Sequence, residues 1–521
     1  MSKQLNQRLQ QLIDSGQADV LKKLQHGIEK EGLRVDGNGR LAQTDHPQVL
    51  GSALTNSRIT TDYSESLLEF ITPVFNHVEQ ALEFLEDLHR FTFEQLDGET
   101  IWCGSMPGYL SGADEVPIAR YGSSNIGEMK HVYRVGLESR YGKMMQTIAG
   151  IHYNFSLPDA FWPLYQSLCG DKGDLQNFQS ASYFSLIRNF RRYSWLLIYL
   201  FGASPALSRS FLKEPPSALK LLDEQTLYAP YATSLRMSDL GYSNQAQSSL
   251  NVCYNHLDNY VKTLTQAINT PYAGYEAIGV KVGGKYKQLN SNLLQIENEY
   301  YSDIRPKRVV SSGEKPIRIL QERGVEYVEV RNMDINPYLP IGLDAQQARF
   351  LDTFLIFCLL LDNDEIADSE CDRIKENHHR VTWQGRDPKL KLKTAAGEQP
   401  MVELARDLLD QMLPVAELLD REQDRSCHTK SVVSQRQKLS DPNLTPSGKM
   451  LLQMQQQKLS HDEFILQQST QHHQRLKAEG LPDYRRQELM EQARQSLQEQ
   501  RHIEQQPQLP FDEFLKEYFG Q

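Results

Sequence analysis

The sequence predicts an α+β fold built from helices and an antiparallel sheet. Helical and strand patterns mix through the stretch 1–365, and the remainder of the 521 residues is almost all helical and polar. Several short segments alternate polar with apolar residues, as antiparallel strands do when one sheet face is polar. We therefore expect a core over 1–365 and a mainly helical C-terminal region over 366–521, packed on that core.

The helices of the core are predicted by apolar residues that recur with helical period. These segments are 3–13, 78–96, 175–201, 248–268 and 344–362.

The two most apolar stretches, Trp195–Phe201 and Phe354–Leu361, lie within predicted helices. Both are far shorter than the roughly 20 residues of a membrane-spanning helix, so we expect buried core helices. The first residues are polar and lack an apolar segment, so no secretory signal is expected.

Composition narrows the classes of partner. A formal net charge of −11 without a long basic run argues against nucleic acid. Six cysteines are scattered without a CxxC pair, which is typical of reduced cytosolic thiols rather than disulfides or a zinc site. We therefore expect a cytoplasmic protein without a nucleic-acid or membrane partner.

The C-terminal region is rich in Gln from about 447 to 505, with apolar residues at helical spacing. This pattern predicts amphipathic helices packed on the core. A coiled-coil arm is the alternative, although no a/d heptad persists over several turns. The segments 383–398 and 421–440 have the character of exposed connections.

Two glycine-containing segments predict hairpins. The turn 36–39 (DGNG) joins two short runs of strand character. The segment Gly279–Lys285 fits GxxxxGK, the beginning of a phosphate-binding loop, but Tyr286 replaces the Ser or Thr that would ligate magnesium. Its pattern is strand, Gly-Gly turn and strand, so we expect a hairpin there.

Alternation with period two places acidic and other polar side chains on common strand faces. The segments and their polar residues are 27–33 with Glu29 and Glu31, 66–72 with Glu69 and nearby Asp62, 150–156 with His152, Asn154 and Ser156, 325–331 with Glu329 and Arg331, and 290–299 with Asn292, Gln295, Glu297 and Glu299. For any one segment, a solvent-exposed sheet face is the simpler interpretation.

Together these segments carry more negative charge than the nearby arginines neutralise. Buried carboxylates are costly unless they are paired or bind a metal. Carboxylate oxygens with one imidazole suit Mg²⁺ or Mn²⁺. We therefore predict a polar sheet face that holds two or three divalent ions and handles phosphates.

Basic and aromatic residues accompany this face and could hold phosphates or substrate carboxylates. They are Tyr133, Arg134, Arg236, Arg305, Lys307, Arg308 and Arg331, while Tyr242 and Tyr301 fall in segments rich in polar and turn residues. Each of them alone is more often structural than functional.

Seven segments around these residues resemble the proteobacterial glutamate–cysteine ligase family, in order across about 20–360. They are GIEKEGLRV (27–35), ITTDYSESLLEFITP (59–73), MQTIAGIHYNFSLP (145–158), YLFGASPA (199–206), PYATSLRMSDLGY (230–242), LQIENEYYSDIRPKR (294–308) and GVEYVEVRNMDINP (324–337). The segment SDPNLTPSGKML (440–451) is a further match, whereas 365–440 and the Gln-rich tail resemble the family only loosely.

The resemblance implies ATP-dependent ligation of the L-glutamate γ-carboxylate to the L-cysteine amine, the first step of glutathione biosynthesis. It implies a fold similar to glutamine synthetase, with a curved antiparallel sheet that forms an active-site funnel and helices outside. It also implies Mg²⁺ or Mn²⁺ as cofactor, ATP as co-substrate, glutathione as feedback inhibitor, and a monomer.

The resemblance further implies the residues of the site. The metal ligands would be Glu29, Glu31, Asp62, Glu69, His152 and Glu329, and the cysteine pocket Tyr63, Tyr133, Arg134, Leu137, Gln146, Tyr242 and Tyr301. Arg331 and Arg236 would meet the transferred phosphate or the glutamate. Tyr63 occupies a position where relatives often carry Phe.

The chemistry follows from the poor reactivity of a carboxylate. ATP converts the glutamate γ-carboxylate to an acyl phosphate, which the cysteine amine then attacks. Asp62 is our hypothesis for the residue that takes the amine proton, because it lies beside Tyr63. No protein nucleophile is implied, so the six cysteines are not catalytic by this argument.

Two other functions compete with this interpretation. A related carboxylate–amine ligase would use another amine in place of cysteine. A non-catalytic metal-binding or scaffold protein would use the Gln-rich tail, but a scaffold has no need of the acidic ligands and Arg331.

Overall fold

The computed structural model describes residues 3–240, 250, 252–310, 314–421 and 426–520. Within these ranges the strands are β1 (Gln25–Asp36), β2 (Ile59–Thr61), β3 (Leu67–Ile71), β4 (Glu99–Ile101), β5 (Ile151–Ser156), β6 (Ala206–Ser208), β7 (Lys220–Leu221), β8 (Thr226–Tyr228), β9 (Lys281–Val282), β10 (Lys285–Tyr286), β11 (Ile304–Lys307), β12 (Tyr327–Met333), β13 (Lys391–Thr394) and β14 (Gly397–Pro400).

The helices of the same ranges are α1 (Lys3–Asp14), α2 (Val78–Gln95), α3 (Asn125–Tyr141), α4 (Phe161–Leu168), α5 (Leu175–Tyr193), α6 (Trp195–Phe201), α7 (Leu257–Asn269), α8 (Ala273–Ile278), α9 (Pro316–Arg323), α10 (Ala345–Leu360), α11 (Asp368–Gln384), α12 (Met401–Leu419), α13 (Cys427–Ser440), α14 (Pro446–Gln457), α15 (His461–Glu479), α16 (Asp483–Gln505) and α17 (Phe511–Phe519).

The main sheet has the strand order β11-β12-β5-β1-β3-β2, and β4 pairs with the C-terminal end of β1. Every neighbouring pair in it is antiparallel. The order places β11 and β2 at opposite edges, so the sheet is open. The predicted combination of helices with an antiparallel sheet is therefore confirmed.

One face of this sheet packs against the apolar core. Ile28, Phe70, Tyr153, Phe155 and Val330 alternate with the polar residues of the other face and are fully buried. Helices α2, α5 and α6 pack against strands of the sheet. Burial of apolar surface on this side holds the strands in register, because a slip of one residue would turn the acidic side chains into the core.

Most of the predicted helices are confirmed. Segments 3–13, 78–96 and 344–362 form α1, α2 and α10, and the apolar stretches within α6 and α10 are buried as expected. Segment 175–201 forms α5 and α6, with Ser194 between them.

The helix predicted over 248–268 begins later than expected, at Leu257. Residues 248, 249 and 251 lie outside the described ranges. Tertiary hydrogen bonds oppose a helix just before Leu257: the Asn255 side chain bonds to the Ile366 backbone, and its carbonyl accepts from Arg188.

Both predicted hairpins are confirmed. At 36–39 the Asp36 carboxylate accepts hydrogen bonds from the backbone N–H groups of Asn38 and Arg40. Strands β9 and β10 are antiparallel around Gly283 and Gly284, whose φ angles of 58° and 79° suit a tight hairpin turn. The segment Gly279–Lys285, which fits the first part of a phosphate-binding-loop motif, therefore forms a hairpin and not a phosphate-binding loop.

Two local predictions are wrong. Segment 290–299 is not a strand, because its own side chains take up the backbone groups: Gln295 accepts from Leu289 N–H and Glu299 accepts from Gln295 N–H. Segment 421–440 is not an exposed connection, since 427–440 form α13, which buries Val432 against its neighbours.

The C-terminal helices pack on the rest of the chain. Phe464, Ile465 and Leu476 of α15 and Leu489 of α16 belong to the same apolar cluster as the core face of the sheet. None of the described helices combines the length and the apolar composition of a membrane crossing.

Candidate active site

Strand pairing assembles a polar face on the side of the sheet away from the core. Glu29 lies opposite His152 across the β1–β5 pair, and Glu31 lies opposite Glu69 across the β1–β3 pair. Glu329 of β12 lies opposite Asn154 of β5, next to His152 on the same face. Four strands that are distant in sequence thus converge on one patch.

His152 is the centre of this patch. Its Nδ1 lies 3.2 Å from Glu29 Oε2 and its Nε2 lies 3.6 Å from Glu31 Oε1. One ligand atom each of Glu29, His152 and Glu329 lie within 4.8 Å of one another. Ligand atoms this close together could bind one cation between them.

The remaining predicted ligands adjoin this group. Asp62 follows β2 and lines the same cavity as Glu31. Glu69 interacts electrostatically with Glu29, Glu31 and Asp62. All six predicted metal ligands are therefore brought together.

Two carboxylates of the polar face, Glu69 and Glu31, have raised pKa values. Burial, followed by repulsion from Glu29, Asp62 and Glu31, raises the pKa of Glu69 well above its ordinary value. Burial also raises the pKa of Glu31, although His152 acts in the opposite direction. Burial would raise the pKa of Glu29 too, but its hydrogen bond with His152 and nearby cationic groups together lower it instead. A divalent cation would stabilise the charged forms of the buried Glu69 and Glu31.

Glu329 differs because it has cationic neighbours. Burial alone would raise its pKa, but Lys307 at 3.5 Å and Arg331 at 3.2 Å hold the pKa well below its ordinary range. Arg331 Nη1 also lies 3.4 Å from His152 Nδ1. The guanidinium is thus fixed among the candidate metal ligands.

Arg236 reaches the site from a separate segment. Its side chain is buried, donates from Nη2 to the Arg331 carbonyl at 3.0 Å, and has Nη1 3.7 Å from Asp334 Oδ1. It passes directly over Gly150, where a Cβ would lie 2.1 Å from Nη2. The Gly150 N–H in turn donates to Glu31 Oε2 at 2.7 Å. Glycine at 150 therefore allows Arg236 and Glu31 to occupy adjacent positions.

A cavity of about 150 Å³ adjoins this polar face. Its walls include Glu31, Asp62 and Arg331 from the polar face, so it opens onto the candidate metal ligands. The predicted pocket residues that line it are Tyr63, Tyr133, Arg134, Leu137, Gln146 and Tyr301. Tyr242, also predicted, lies outside the described residues.

Helix α3 forms one wall of the cavity. Tyr133, Arg134 and Leu137 lie within about one turn of each other, so they face the same side. Arg134 Nε donates to the Asp62 carbonyl at 2.5 Å, which joins this wall to the polar face. Tyr63 also lines the cavity, and its buried hydroxyl has no hydrogen-bond partner among the described residues.

Several lining residues were missed by the sequence analysis or not assigned to this pocket. They are Tyr141, Met145, Ile148, Asn298, Glu299 and Arg305. Tyr141 follows Leu137 by one helical turn, a spacing that could have indicated it. Glu299 was noted only as an acidic residue of 290–299. It is held by Arg140 Nη1 at 2.9 Å and by the Tyr141 hydroxyl at 2.5 Å.

Comparison with known proteins gives a consistent result. A family model described as glutamate-cysteine ligase matches residues 9–381. A glutamate–cysteine ligase from Pseudomonas entomophila (strain L48) is 51% identical over 518 residues, covering 99% of this chain and 97% of that protein. One from Azotobacter vinelandii (strain DJ / ATCC BAA-1303) is 51% identical over 521 residues, covering 99% of this chain and 98% of that protein.

Solved structures with a similar fold include a glutamate–cysteine ligase from Francisella tularensis in complex with AMP. It has a TM-score of 0.90 and 38% identity, over 96% of this chain and 98% of that one. A bifunctional glutathione synthetase from Pasteurella multocida has a TM-score of 0.72 and 26% identity, over 90% of this chain and 55% of that one.

Proposed function

The chain belongs to the glutamate–cysteine ligase family, and from this premise we propose how its polar sheet face and the adjoining cavity divide the reaction. The enzyme uses ATP to join the L-glutamate γ-carboxylate to the L-cysteine amine, giving γ-glutamylcysteine, ADP and phosphate. The polar face is the site of phosphoryl transfer, and the cavity holds cysteine.

The first step makes the γ-carboxylate reactive. A carboxylate oxygen of glutamate attacks the γ-phosphorus of ATP, the bond to the ADP oxygen breaks, and an acyl phosphate forms. Arg331 is held at 3.2 Å from Glu329, which supports a role in orienting the transferred phosphoryl group. Arg236, packed over Gly150, approaches from the adjacent segment and is proposed to hold the glutamate or the phosphate.

The donor set fits divalent cations with a preference for oxygen ligands. Glu29, Glu31, Asp62, Glu69, His152 and Glu329 would hold two or three Mg²⁺ or Mn²⁺ ions. When bound, such ions neutralise charge on the phosphate oxygens. The raised pKa of Glu69 supports this assignment, because it reflects burial first and then repulsion from Glu29, Asp62 and Glu31, and a bound cation would offset both effects.

The second step forms the amide bond. The cysteine amine attacks the acyl carbon, the carbon–oxygen bond to phosphate breaks, and the amine loses a proton. We propose that Asp62 takes this proton, since it lines the cavity together with Tyr63. Asp62→Asn is the test: ligation at the parental rate would contradict the assignment.

Several wider features of the family are proposals for this chain. They are a sheet curved into a funnel like that of glutamine synthetase, a ligase core over 1–365 with a C-terminal region over 366–521, a monomeric state, feedback inhibition by glutathione, and a cytoplasmic location. The antiparallel sheet and the cavity beside its polar face support the funnel. The described cysteines are free thiols, which supports a reducing compartment.

The observation that carries the proposal is that two predicted metal ligands, Glu31 and Asp62, line the same cavity as six predicted pocket residues. The other four predicted ligands lie on the same polar face, beside these two. The test is ADP formation from ATP and glutamate with and without cysteine, comparing the parent with Glu329→Gln. We expect cysteine-dependent turnover that yields γ-glutamylcysteine in the parent and is lost in the variant. Turnover with another amine alone would change the substrate, and no turnover with any amine would favour a scaffold.

A further inference from the structure

The C-terminal helix α17 has one apolar face. Phe511, Phe514, Leu515, Tyr518 and Phe519 follow the i, i+3, i+4, i+7, i+8 spacing of an amphipathic helix. A nine-residue helix of this kind is not stable in isolation, so its order depends on the surface that it covers.

That surface includes the outer side of the cavity wall. Four apolar residues of α17 form a small cluster with Met129, Val132 and Tyr133 of α3, separate from the main apolar core. The cluster is completed by Leu289, Tyr286 and Ile296. Tyr133 is the link, because it lines the cavity and also packs against this cluster.

Polar contacts hold α17 in place at its beginning. The Asp512 carboxylate accepts from Lys281 Nζ at 2.9 Å and from the Tyr286 hydroxyl. Both partners lie on the β9–β10 hairpin, the segment that resembles a phosphate-binding loop but is not one. The Tyr286 ring also meets Phe511 edge-on, with centroids 5.2 Å apart. The hairpin thus serves as an anchor for the C-terminal helix.

The chain just before α17 is tied to the N-terminal end of α3. Asn125 donates from Nδ2 to the Leu509 carbonyl at 2.9 Å and from its backbone to Gln508 Oε1 at 2.5 Å. Ser123 N–H donates to Glu504 Oε1 at 2.8 Å. Of the helices and strands in the described ranges, α3 is the one that α17 contacts most extensively.

We propose that the C-terminal helix is a positioning element for the amine substrate. It acts through α3, by fixing the wall that carries Tyr133, Arg134 and Leu137 at the distance from the polar face that cysteine requires. This inference rests on the proposed assignment of the cavity to cysteine. Phe511 and Phe514 are positioning residues, since neither lines the cavity.

The test uses the full-length chain with Phe511→Ala and Phe514→Ala combined. We expect KM for cysteine to rise about tenfold. This change is smaller than the ~100-fold loss of rate that a 1 Å misplacement of the reacting groups can cause. KM for glutamate and for ATP should change much less than KM for cysteine, because α17 reaches the polar face indirectly, through α3 and its hydrogen bond from Arg134 to the Asp62 carbonyl. Tyr484→Ala is the matched control: Tyr484 is an aromatic residue of α16, is 63% exposed, and should leave all three constants unchanged.

Hydrogen–deuterium exchange of α3 gives a readout that does not depend on catalysis. The double variant should exchange faster over 125–141 than the parent, with β1 and β5 unchanged, and Phe514→Leu alone should retain most of the protection. Parental exchange over α3, or equal increases in all three KM values, would overturn the proposal. If the parent enzyme uses an amine other than cysteine, the assignment of cysteine as substrate is wrong. The role of α17 is then tested by the effect of the double variant on KM for that other amine.

Discussion

A Gly150→Ala substitution should impair the enzyme strongly by displacing Arg236, although Gly150 itself carries no functional group. An added Cβ would lie 2.1 Å from Arg236 Nη2 and 2.7 Å from its Cζ, whereas ordinary contact begins at 3.4 Å. The guanidinium must therefore move by the difference between 3.4 and 2.1 Å, or 1.3 Å.

The surroundings leave Arg236 little freedom to adjust. Its side chain is buried and is held by the Arg331 carbonyl and Asp334. If the backbone at 150 moves instead, the hydrogen bond from its N–H to Glu31 is disturbed. Overpacking of this kind costs about 1–3 kcal/mol of folding free energy. A misplacement of about 1 Å at a reacting group can lower the rate ~100-fold.

The assay is kcat/KM for glutamate, with urea unfolding measured in parallel. We expect kcat/KM to fall by about two orders of magnitude, while the protein remains folded at pH 7. Gly37→Ala is the control, because no atom lies within 4 Å of its added Cβ. A Gly150→Ala enzyme with parental kcat/KM would refute the reasoning that Arg236 must hold this position.

Three further predictions concern the pocket, the stability and the metal site. Tyr63→Phe removes a buried hydroxyl that has no hydrogen-bond partner among the described residues. KM for cysteine should rise about three- to tenfold, because the substrate would lose one hydrogen bond. An unchanged KM for cysteine would exclude that bond. Burial and then Arg34 lower the pKa of His46 to about 4, from 6.5 when unfolded. The unfolded state therefore takes up the proton first, and stability should fall by about 3 kcal/mol as pH drops from 6.5 to 4. Urea unfolding of His46→Gln should lack this part of the pH dependence. Mg²⁺ should raise the melting temperature of the parent by binding the folded state, and Glu329→Gln should lose most of this shift; an equal shift in both proteins would place the ion elsewhere.

The candidate site could be predicted in its composition but not in its assembly. Alternation with period two is enough to place Glu29 with Glu31, and Glu329 with Arg331, on common strand faces. The pairing of Glu29 with His152 depends on strand order, which local sequence does not encode. Arg305 and Glu299 are visible in the sequence as charged residues, but their place in the cavity wall depends on contacts between distant segments.

Errors in the predicted elements have the same origin. Segment 290–299 has an alternating polar pattern, yet the Gln295 and Glu299 side chains accept hydrogen bonds from nearby backbone N–H groups. The N–H groups of Leu293 and Leu294 donate to the Thr270 and Ala267 carbonyls of a distant segment, which keeps this backbone out of the sheet. Segment 427–440 has weak helical amphipathicity, and it forms a helix because Val432 is buried between neighbouring helices. In both segments tertiary contacts outweigh local preference.

Residue type and periodicity along the chain predicted the class of fold and an acidic strand face, while the resemblance of seven segments to the glutamate–cysteine ligase family implied the family and the proposed ligand and pocket residues. The three-dimensional arrangement was needed to find that Gly150 makes room for Arg236, and that the C-terminal helix packs on the wall of the pocket. This division arises because close approach and long-range packing depend on the distance between segments in space, and spacing along the chain does not specify that distance.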